Sequence, residues 1–335
     1  MLVDFMADVS ASPLQIDALA GWAEEAGYDG LGVPETGHDA FTSLTLAARA
    51  TDRITLQSAI AVAFARNPMT VAMLANDLQL ISNGRFQLGL GSQVKPHIER
   101  RFSMPWSHPA ARMEEFLAAV RAIWASWATG ERLAFRGAFY QHTLMTDFFN
   151  PGPNPHGNPP ILLAAVGERM TEVAGRVADG LLAHSFTTPT YLAERTLPAL
   201  HRARGGALDG FAVCLAALVV LGADEAERAR AEEAVRLQIA FYGSTPSYRP
   251  VLEAHGWGAL ATRLNELSRR AEWAEMGRLI DDDVLGAFAV SGDAATVAAE
   301  LLARFGAAVT RMSLYTPYDV EPALRSAVTD RLCAS

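Results

Sequence analysis

Short apolar runs alternate with stretches of helical periodicity along the chain, and this alternation constrains the fold more than any other feature. The segment that begins at Pro68 shows the pattern, since Val71 and Leu78 share one helical face and Asn83-Gly84 ends the helix. Helices of this kind connect one strand to the next as crossovers, so the strands that they join are parallel. The strands predicted in this part are Leu2 to Met6, Gly30 to Val33, Ile54 to Leu56 and Phe86 to Leu90.

The same cadence continues to the end of the chain, with two longer interruptions. Eight strands in β-α order favour a closed (β/α)8 barrel, a TIM barrel of the α/β class, over an open doubly wound sheet. Two α/β lobes are the alternative, but no Gly/Ser linker separates them, so we expect one domain over 1–335 with insertions at about 97–158 and 223–285. The remaining predicted strands are Ile161 to Leu163, Leu181 to Leu182, Ala212 to Leu221 and Arg311 to Tyr315.

Composition narrows the possible partners. The formal net charge of −9 disfavours nucleic acid and anionic membranes, which call for a basic patch. The first residues lack the basic and apolar regions of a signal peptide, and the two cysteines, Cys214 and Cys333, are far apart. The sequence contains no HExxH, no close histidine pair and no CxxC, so we expect no metal site. These features predict a cytoplasmic enzyme with a small-molecule substrate.

Polar residues that follow the strands are the candidates for chemistry, because active sites of such barrels lie at the carboxyl ends of the strands. After the second strand, His38 could move a proton while Glu35 or Asp39 orients its ring. The alternative is that His38 and Asp39 only cap the next helix. After the fourth strand, Gly91 leaves room for a flat ring near the backbone, or forms an ordinary turn.

Two further strand ends favour a flat, phosphate-bearing ligand. The segment from Ala59 to Ala65 offers an apolar wall on which an aromatic ring could stack. The glycine turn from Val166 to Met170 enters a helix, whose unpaired N–H groups would favour a phosphate, and Arg169 would add charge.

Together these segments resemble the luciferase-like monooxygenase superfamily, and particularly its actinobacterial oxidoreductases that depend on the deazaflavin coenzyme F420. The motifs occur in the family's order from near residue 20 to about 185. They are Glu35 to Asp39, Thr51 to Ile54 followed by Phe64 to Pro68, Ser82 to Gly91, Ser92 to His97 with Arg100 to Phe102, and Ala178 to Gly180.

The resemblance implies a cofactor site on the barrel. It implies a non-proline cis peptide bond between Ala59 and Ile60, behind the deazaflavin ring. Arg66, Arg100 and Arg101 are candidates to hold the acidic tail of the cofactor. The implied cofactor-binding residues are Ala59, Ile60, Ala61, Gly91, Ser92, Gln93, Lys95, Val166, Gly167, Glu168, Arg169 and Met170.

The reaction implied is hydride transfer between coenzyme F420 and an organic substrate, with His38 and Glu35 as catalytic residues and Lys95 or His97 in reserve. The family's sugar-phosphate branch has an Asp-His pair where Glu35-Thr36 stands, and an acid where Val94 stands, which argues against a sugar phosphate. An FMN-dependent monooxygenase and a non-catalytic flavin-binding barrel remain alternatives.

The resemblance also implies a homodimer, formed by the apolar helices near the second and third strands. We further expect the insertion at 223–285 to cover the barrel mouth and to set specificity. The aromatic residues that we expect to line the pocket are Phe41, Trp106, Phe148 and Tyr242.

Overall fold

Eight parallel strands close into a barrel in the computed structural model, which describes residues 1–334. Each strand pairs with the next, and the eighth pairs with the first, so the predicted TIM barrel is confirmed. The strands are β1 Leu2–Met6, β2 Gly30–Val33, β3 Thr55–Ser58, β4 Phe86–Gly91, β5 Ile161–Ala165, β6 Gly180–Ala183, β7 Ala212–Val220 and β8 Arg311–Tyr315.

The helices between the strands pack around the barrel through the apolar faces that the sequence indicates. The first helix starts at Ile16, and a further helix, Pro322–Cys333, follows β8. The other helices outside the second insertion are Ala40–Ala50, Pro68–Ile81, Pro109–Thr129, Glu168–Val177, Leu197–Arg204 and Ala294–Phe305, with short turns at Ala63–Ala65, His97–Arg101, Pro189–Tyr191 and Leu192–Thr196.

A break after β3 shapes the mouth of the barrel. The chain leaves the sheet after Ser58 and returns as the two-residue strand Ala61–Val62, which pairs with the end of β4. A Cβ atom on Gly89 would lie 1.8 Å from the carbonyl oxygen of Ser58, so only glycine permits this approach. The Ser58 hydroxyl donates to the Gly89 carbonyl and accepts from the Gly89 N–H, at 2.8 and 2.9 Å. The break is therefore fastened to β4 on both sides.

The two insertions differ in structure. The segment 97–158 contains the long helix Pro109–Thr129, a hairpin of Phe135–Arg136 with Gln141–His142, and a short turn at Asp147–Phe149. The segment 223–285 is helical, as expected. It forms a second hydrophobic cluster that packs on the carboxyl-terminal half of β7, at Leu218 and Val220. Its helices are Glu225–Gly243, Pro246–Tyr248, Arg249–Glu253, Gly258–Ser268, Trp273–Arg278 and Asp282–Phe288, followed by the strand Ala289–Ser291, which pairs with β7.

A buried ion pair closes the opposite end of the barrel. Arg311 donates to Asp4 across 2.5 Å and also bonds Thr55 and the carbonyl of Asp29, so one side chain ties β8 to β1 and to the start of β3. A Cβ atom on Gly30 would lie 2.4 Å from Asp4, so the glycine makes room for the pair. Polar residues at this end of a TIM barrel contribute to stability rather than to catalysis. Over residues 1–334, none of the helices is long and apolar enough to cross a membrane.

Candidate active site

The loop after β2 is held by an ion-pair cluster. The Glu35 carboxylate, only 7% exposed, accepts hydrogen bonds from the Val62 N–H and from Arg66, both at 2.7 Å. Arg66 also pairs with Asp39 at 2.5 Å. Burial alone would lower the pKa of Arg66, but its bonds to the two carboxylates outweigh this effect and raise the pKa above its usual value. Glu35 thus anchors the segment that follows the break after β3.

This cluster bears on the expected roles of three residues. Asp39 accepts from the Thr42 N–H at 2.9 Å and caps the helix Ala40–Ala50, which confirms the capping interpretation for this residue. Arg66 is engaged by two carboxylates, and its contact with an acidic cofactor tail stays a prediction. Glu35 shares no hydrogen bond with His38, whose exposed ring has no side-chain hydrogen bond within residues 1–334.

The predicted cis peptide bond is present between Ala59 and Ile60. Both residues are half-buried at the break after β3, and the Glu35 N–H donates to the Ile60 carbonyl. The apolar wall is shorter than expected, because Ala61, Val62, Ala63 and Phe64 are fully buried. Ala59 and Ile60 are therefore the accessible apolar part of this strand end, and the role of Ala61 in cofactor binding stays a prediction.

The space beside Gly91 is filled by protein. A Cβ atom at this position would meet the Ile60 side chain at 2.9 Å, so the glycine accommodates Ile60 rather than leaving room for a ring. The next residues form a tight turn, in which Gln93 has φ of +59° and its own side chain accepts from the Val94 N–H at 3.0 Å. The Ser92 hydroxyl donates to the Gln93 carbonyl at 3.1 Å.

The segment after this turn is exposed. Lys95 lies 3.8 Å from Glu99, and His97 begins the turn His97–Arg101. Arg101 donates to the carbonyl of Thr36, which joins this turn to the loop after β2. The guanidinium of Arg101 is thus partly committed within the chain, whereas Arg100 is exposed.

The turn after β5 leaves an open helix N-terminus. Gly167 precedes the helix Glu168–Val177, no side chain caps this helix, and no described atom lies within 4 Å of where a Cβ of Gly167 would be. Arg169 is exposed and forms no ion pair within residues 1–334. The Glu168 carboxylate, which would repel an anion, pairs instead with Arg202. Val166 is half-buried, and Met170 packs against the barrel core. This arrangement fits a phosphate group.

A histidine that the sequence analysis did not single out lies at the end of β6. His184 follows Ala183 directly, and its Nδ1 accepts from the Phe186 N–H at 2.9 Å. Its ring centroid lies 4.7 Å from that of Tyr242 and 4.6 Å from that of Tyr248, both from the second insertion. Burial lowers the pKa of His184 to about 4, so the ring is neutral at physiological pH. Its position after a predicted strand was a signal that could have found it.

The other expected pocket aromatics lie elsewhere. Phe41 is buried in the core beside Arg66, and Trp106 packs edge-on against the buried Phe64. Phe148 is 89% exposed on the first insertion. Of the four expected residues, Tyr242 is the one that lies beside a strand end in this cluster.

Comparison with known proteins identifies the family. A luciferase-like monooxygenase profile matches residues 6–311, and the chain belongs to this family. An uncharacterized protein of Mycobacterium tuberculosis is 53% identical over 292 residues, which cover 86% of each chain. The F420-dependent glucose-6-phosphate dehydrogenase of Beutenbergia cavernae is 29% identical over 282 residues, which cover 81% of this chain and 76% of that enzyme.

The fold has a close counterpart among solved structures. The coenzyme F420-dependent tetrahydromethanopterin reductase of Methanopyrus kandleri superimposes with a TM-score of 0.79 at 21% identity, over 99% of this chain and 97% of that one. At this identity the likeness establishes the barrel and its insertions, and it carries no information on substrate.

Proposed function

We propose that this protein is an oxidoreductase that transfers a hydride between coenzyme F420 and an organic substrate. The observation that carries the proposal is the juxtaposition of an apolar backbone break after β3 with an uncapped helix N-terminus after β5. Because β4 pairs with both of these strands, the two features lie at neighbouring points of the barrel mouth. F420-dependent relatives that span most of the chain support the same cofactor.

The residues at the two strand ends fit a deazaflavin. Ala59 and Ile60 would lie behind its ring, where apolar side chains exclude water from one face. The N–H groups of the turn at Gly167, with Arg169, would bind its phosphate. When bound, the deazaflavin supplies a ring carbon that accepts or donates the hydride.

The proton of the reaction is assigned to His38. Its exposed ring is free of side-chain hydrogen bonds within residues 1–334, so it can turn toward a substrate and exchange protons with water. Glu35 is better described as a positioning residue, because its carboxylate is occupied by Arg66 and the Val62 N–H.

A homodimer is part of the proposal. The helices Ala40–Ala50 and Pro68–Ile81 expose apolar side chains to solvent. Exposed apolar patches of this kind are typical of subunit interfaces. Replacing Met73 and Leu80 with glutamate should therefore halve the molar mass measured by light scattering. The exposed residues concerned are Leu46, Met73, Leu80 and Ile81.

A paired titration with coenzyme F420 and with FMN, followed by fluorescence quenching, tests the cofactor. Micromolar binding of F420 with feeble FMN binding supports the proposal. These affinities correspond to binding free energies of about 8 kcal/mol for F420 and less than about 5 kcal/mol for FMN. The reverse preference would indicate an FMN-dependent monooxygenase. Binding of neither would overturn the proposal and favour a barrel without flavin chemistry. With the preferred cofactor in hand, loss of F420 absorbance becomes the assay for candidate substrates.

A further inference from the structure

Four uncharged polar side chains meet at the half of the barrel mouth opposite the break after β3. They come from the ends of β6 and β8 and from the second insertion, and we call them the aromatic subsite. The Tyr242 and Tyr315 hydroxyls lie 3.2 Å apart, and the Tyr242 and Tyr248 rings both contact the imidazole. The members of the aromatic subsite are His184, Tyr242, Tyr248 and Tyr315.

The imidazole of His184 has a fixed tautomer. Because Nδ1 accepts the Phe186 N–H, the proton of the neutral ring is on Nε2, which is therefore a donor. No side chain or carbonyl of residues 1–334 accepts a hydrogen bond from Nε2. This nitrogen is not fully buried, so a ligand atom can reach it. The hydrogen bond from the Phe186 N–H orients the ring, and the Nε2–H is left without an acceptor. It can therefore donate to an oxygen atom of a ligand.

The side chains around this donor supply no positive charge that would pair with an anionic ligand. Burial raises the pKa of Tyr248 to about 12, and burial followed by the influence of Tyr242 and Asp8 raises the pKa of Tyr315, so both phenols stay neutral. The rings of Phe186 and Phe288, stacked at 4.5 Å, extend the apolar wall behind them. The aromatic subsite thus contains no cation to pair with a phosphate or a carboxylate.

We propose that the aromatic subsite binds the oxygen of an uncharged ketone or secondary alcohol through the Nε2–H of His184, with the apolar part of the ligand against Tyr242 and Tyr248. This inference rests on the proposed function, in which a ketone accepts a hydride from reduced F420 at its carbon and a proton, exchanged through His38, at its oxygen to give the secondary alcohol. It gives the substrate class of the same barrel mouth and makes His184 a determinant of specificity.

Acetophenone and benzoate are matched probes, because both carry a phenyl ring and a carbonyl oxygen but only benzoate is charged. The full chain, without cofactor, is titrated with each probe while the His184 ring proton resonance is followed by NMR, assigned by its loss in His184→Phe. Acetophenone should shift this resonance saturably in the millimolar range, and benzoate should not.

Two variants separate the donor from the packing. His184→Phe should weaken acetophenone binding about tenfold, measured by saturation transfer, whereas His184→Gln, which keeps an N–H donor, should stay close to the parent. His201→Phe, on an exposed helix, is the control and should change nothing.

Equal shifts with both probes, no shift with acetophenone, or unchanged binding in His184→Phe would each overturn the proposal. If His184→Phe does not fold, the resonance is assigned by its loss in His184→Gln, and the comparison of the two probe titrations on the parent protein still decides. Failure of F420 to bind, with a selective acetophenone shift retained, would refute the proposed function and leave the aromatic subsite standing.

Discussion

The Glu35 carboxylate and the Arg66 guanidinium, 31 residues apart in the chain, lie 2.7 Å from each other at the mouth of the barrel. Glu35 also receives the N–H of Val62, the residue with which the chain rejoins the sheet. The pair therefore fixes the segment that follows the backbone break on which the proposed cofactor ring would rest. In the proposed function the pair holds the site in place, and the proton is exchanged by His38.

Removing one partner of this pair should destabilise the protein. Arg66→Met leaves the buried Glu35 carboxylate without its counter-charge, at an expected cost of about 3 kcal/mol in the free energy of unfolding. Urea titrations of Arg66→Met, Glu35→Gln and the double variant measure the coupling. The double variant should be more stable than Arg66→Met, because no unpaired charge is left. Arg202→Met, which breaks an exposed pair, should cost less than about 1 kcal/mol. Equal losses at Arg66 and Arg202 would contradict this view.

The packing of β4 against the break makes a second prediction. Gly89→Ala places a methyl group 1.8 Å from the Ser58 carbonyl oxygen, so the backbone must move, and stability should fall by roughly 3 kcal/mol. Thermal unfolding followed by circular dichroism measures the loss. Gly37→Ala is the matched control, since no described atom lies within 4 Å of the added carbon. A Gly89→Ala protein that melts like its parent would show that the break can move away from β4.

The neutral His184 should make stability depend on pH. The pKa of His184 is about 4 in the fold, because of burial, against about 6.5 in an unfolded chain, and the rings that face it are those of Tyr242 and Tyr248. Between about pH 4 and pH 6.5 this histidine is protonated in the unfolded chain and neutral in the folded chain. The stabilisation is therefore complete above about pH 6.5 and falls, by at most about 3 kcal/mol, as the pH drops to 4.

Unfolding free energies of the parent protein and of His184→Phe, measured from pH 7 to pH 4, test this dependence. The stability of the parent should decrease more steeply than that of the variant, and the His201→Asn control should follow the parent. Parallel curves for the parent and His184→Phe would mean that the ring is protonated in the fold.

Local patterns were sufficient to predict the barrel, and they were insufficient for the site. Strand and helix periodicity depends on near neighbours, so all eight barrel strands were located, with boundary shifts such as Thr55–Ser58 in place of Ile54 to Leu56. The run Ala61 to Phe64 is equally apolar whether it lines a pocket or fills the core, and packing placed it in the core. The aromatic subsite depends on an insertion that folds back 58 residues after His184 to bring Tyr242 into contact, and no local pattern contains that contact.

The open turn after β5 makes the last prediction, which concerns affinity rather than stability. Arg169→Gln removes an exposed positive charge beside the uncapped helix N-terminus and should weaken F420 binding about tenfold, because a charge-assisted contact with the phosphate is lost. Arg230→Gln removes another exposed charge, from the helix Glu225–Gly243, and controls for net charge. Fluorescence titrations of the two variants, with thermal melts to verify folding, give the comparison.

Because Glu168 at the same helix start is held by Arg202, breaking that pair with Arg202→Gln should free the carboxylate, which would repel the phosphate, and should also weaken F420 binding. Affinities unchanged in both Arg169→Gln and Arg202→Gln would mean that the phosphate binds elsewhere on the barrel.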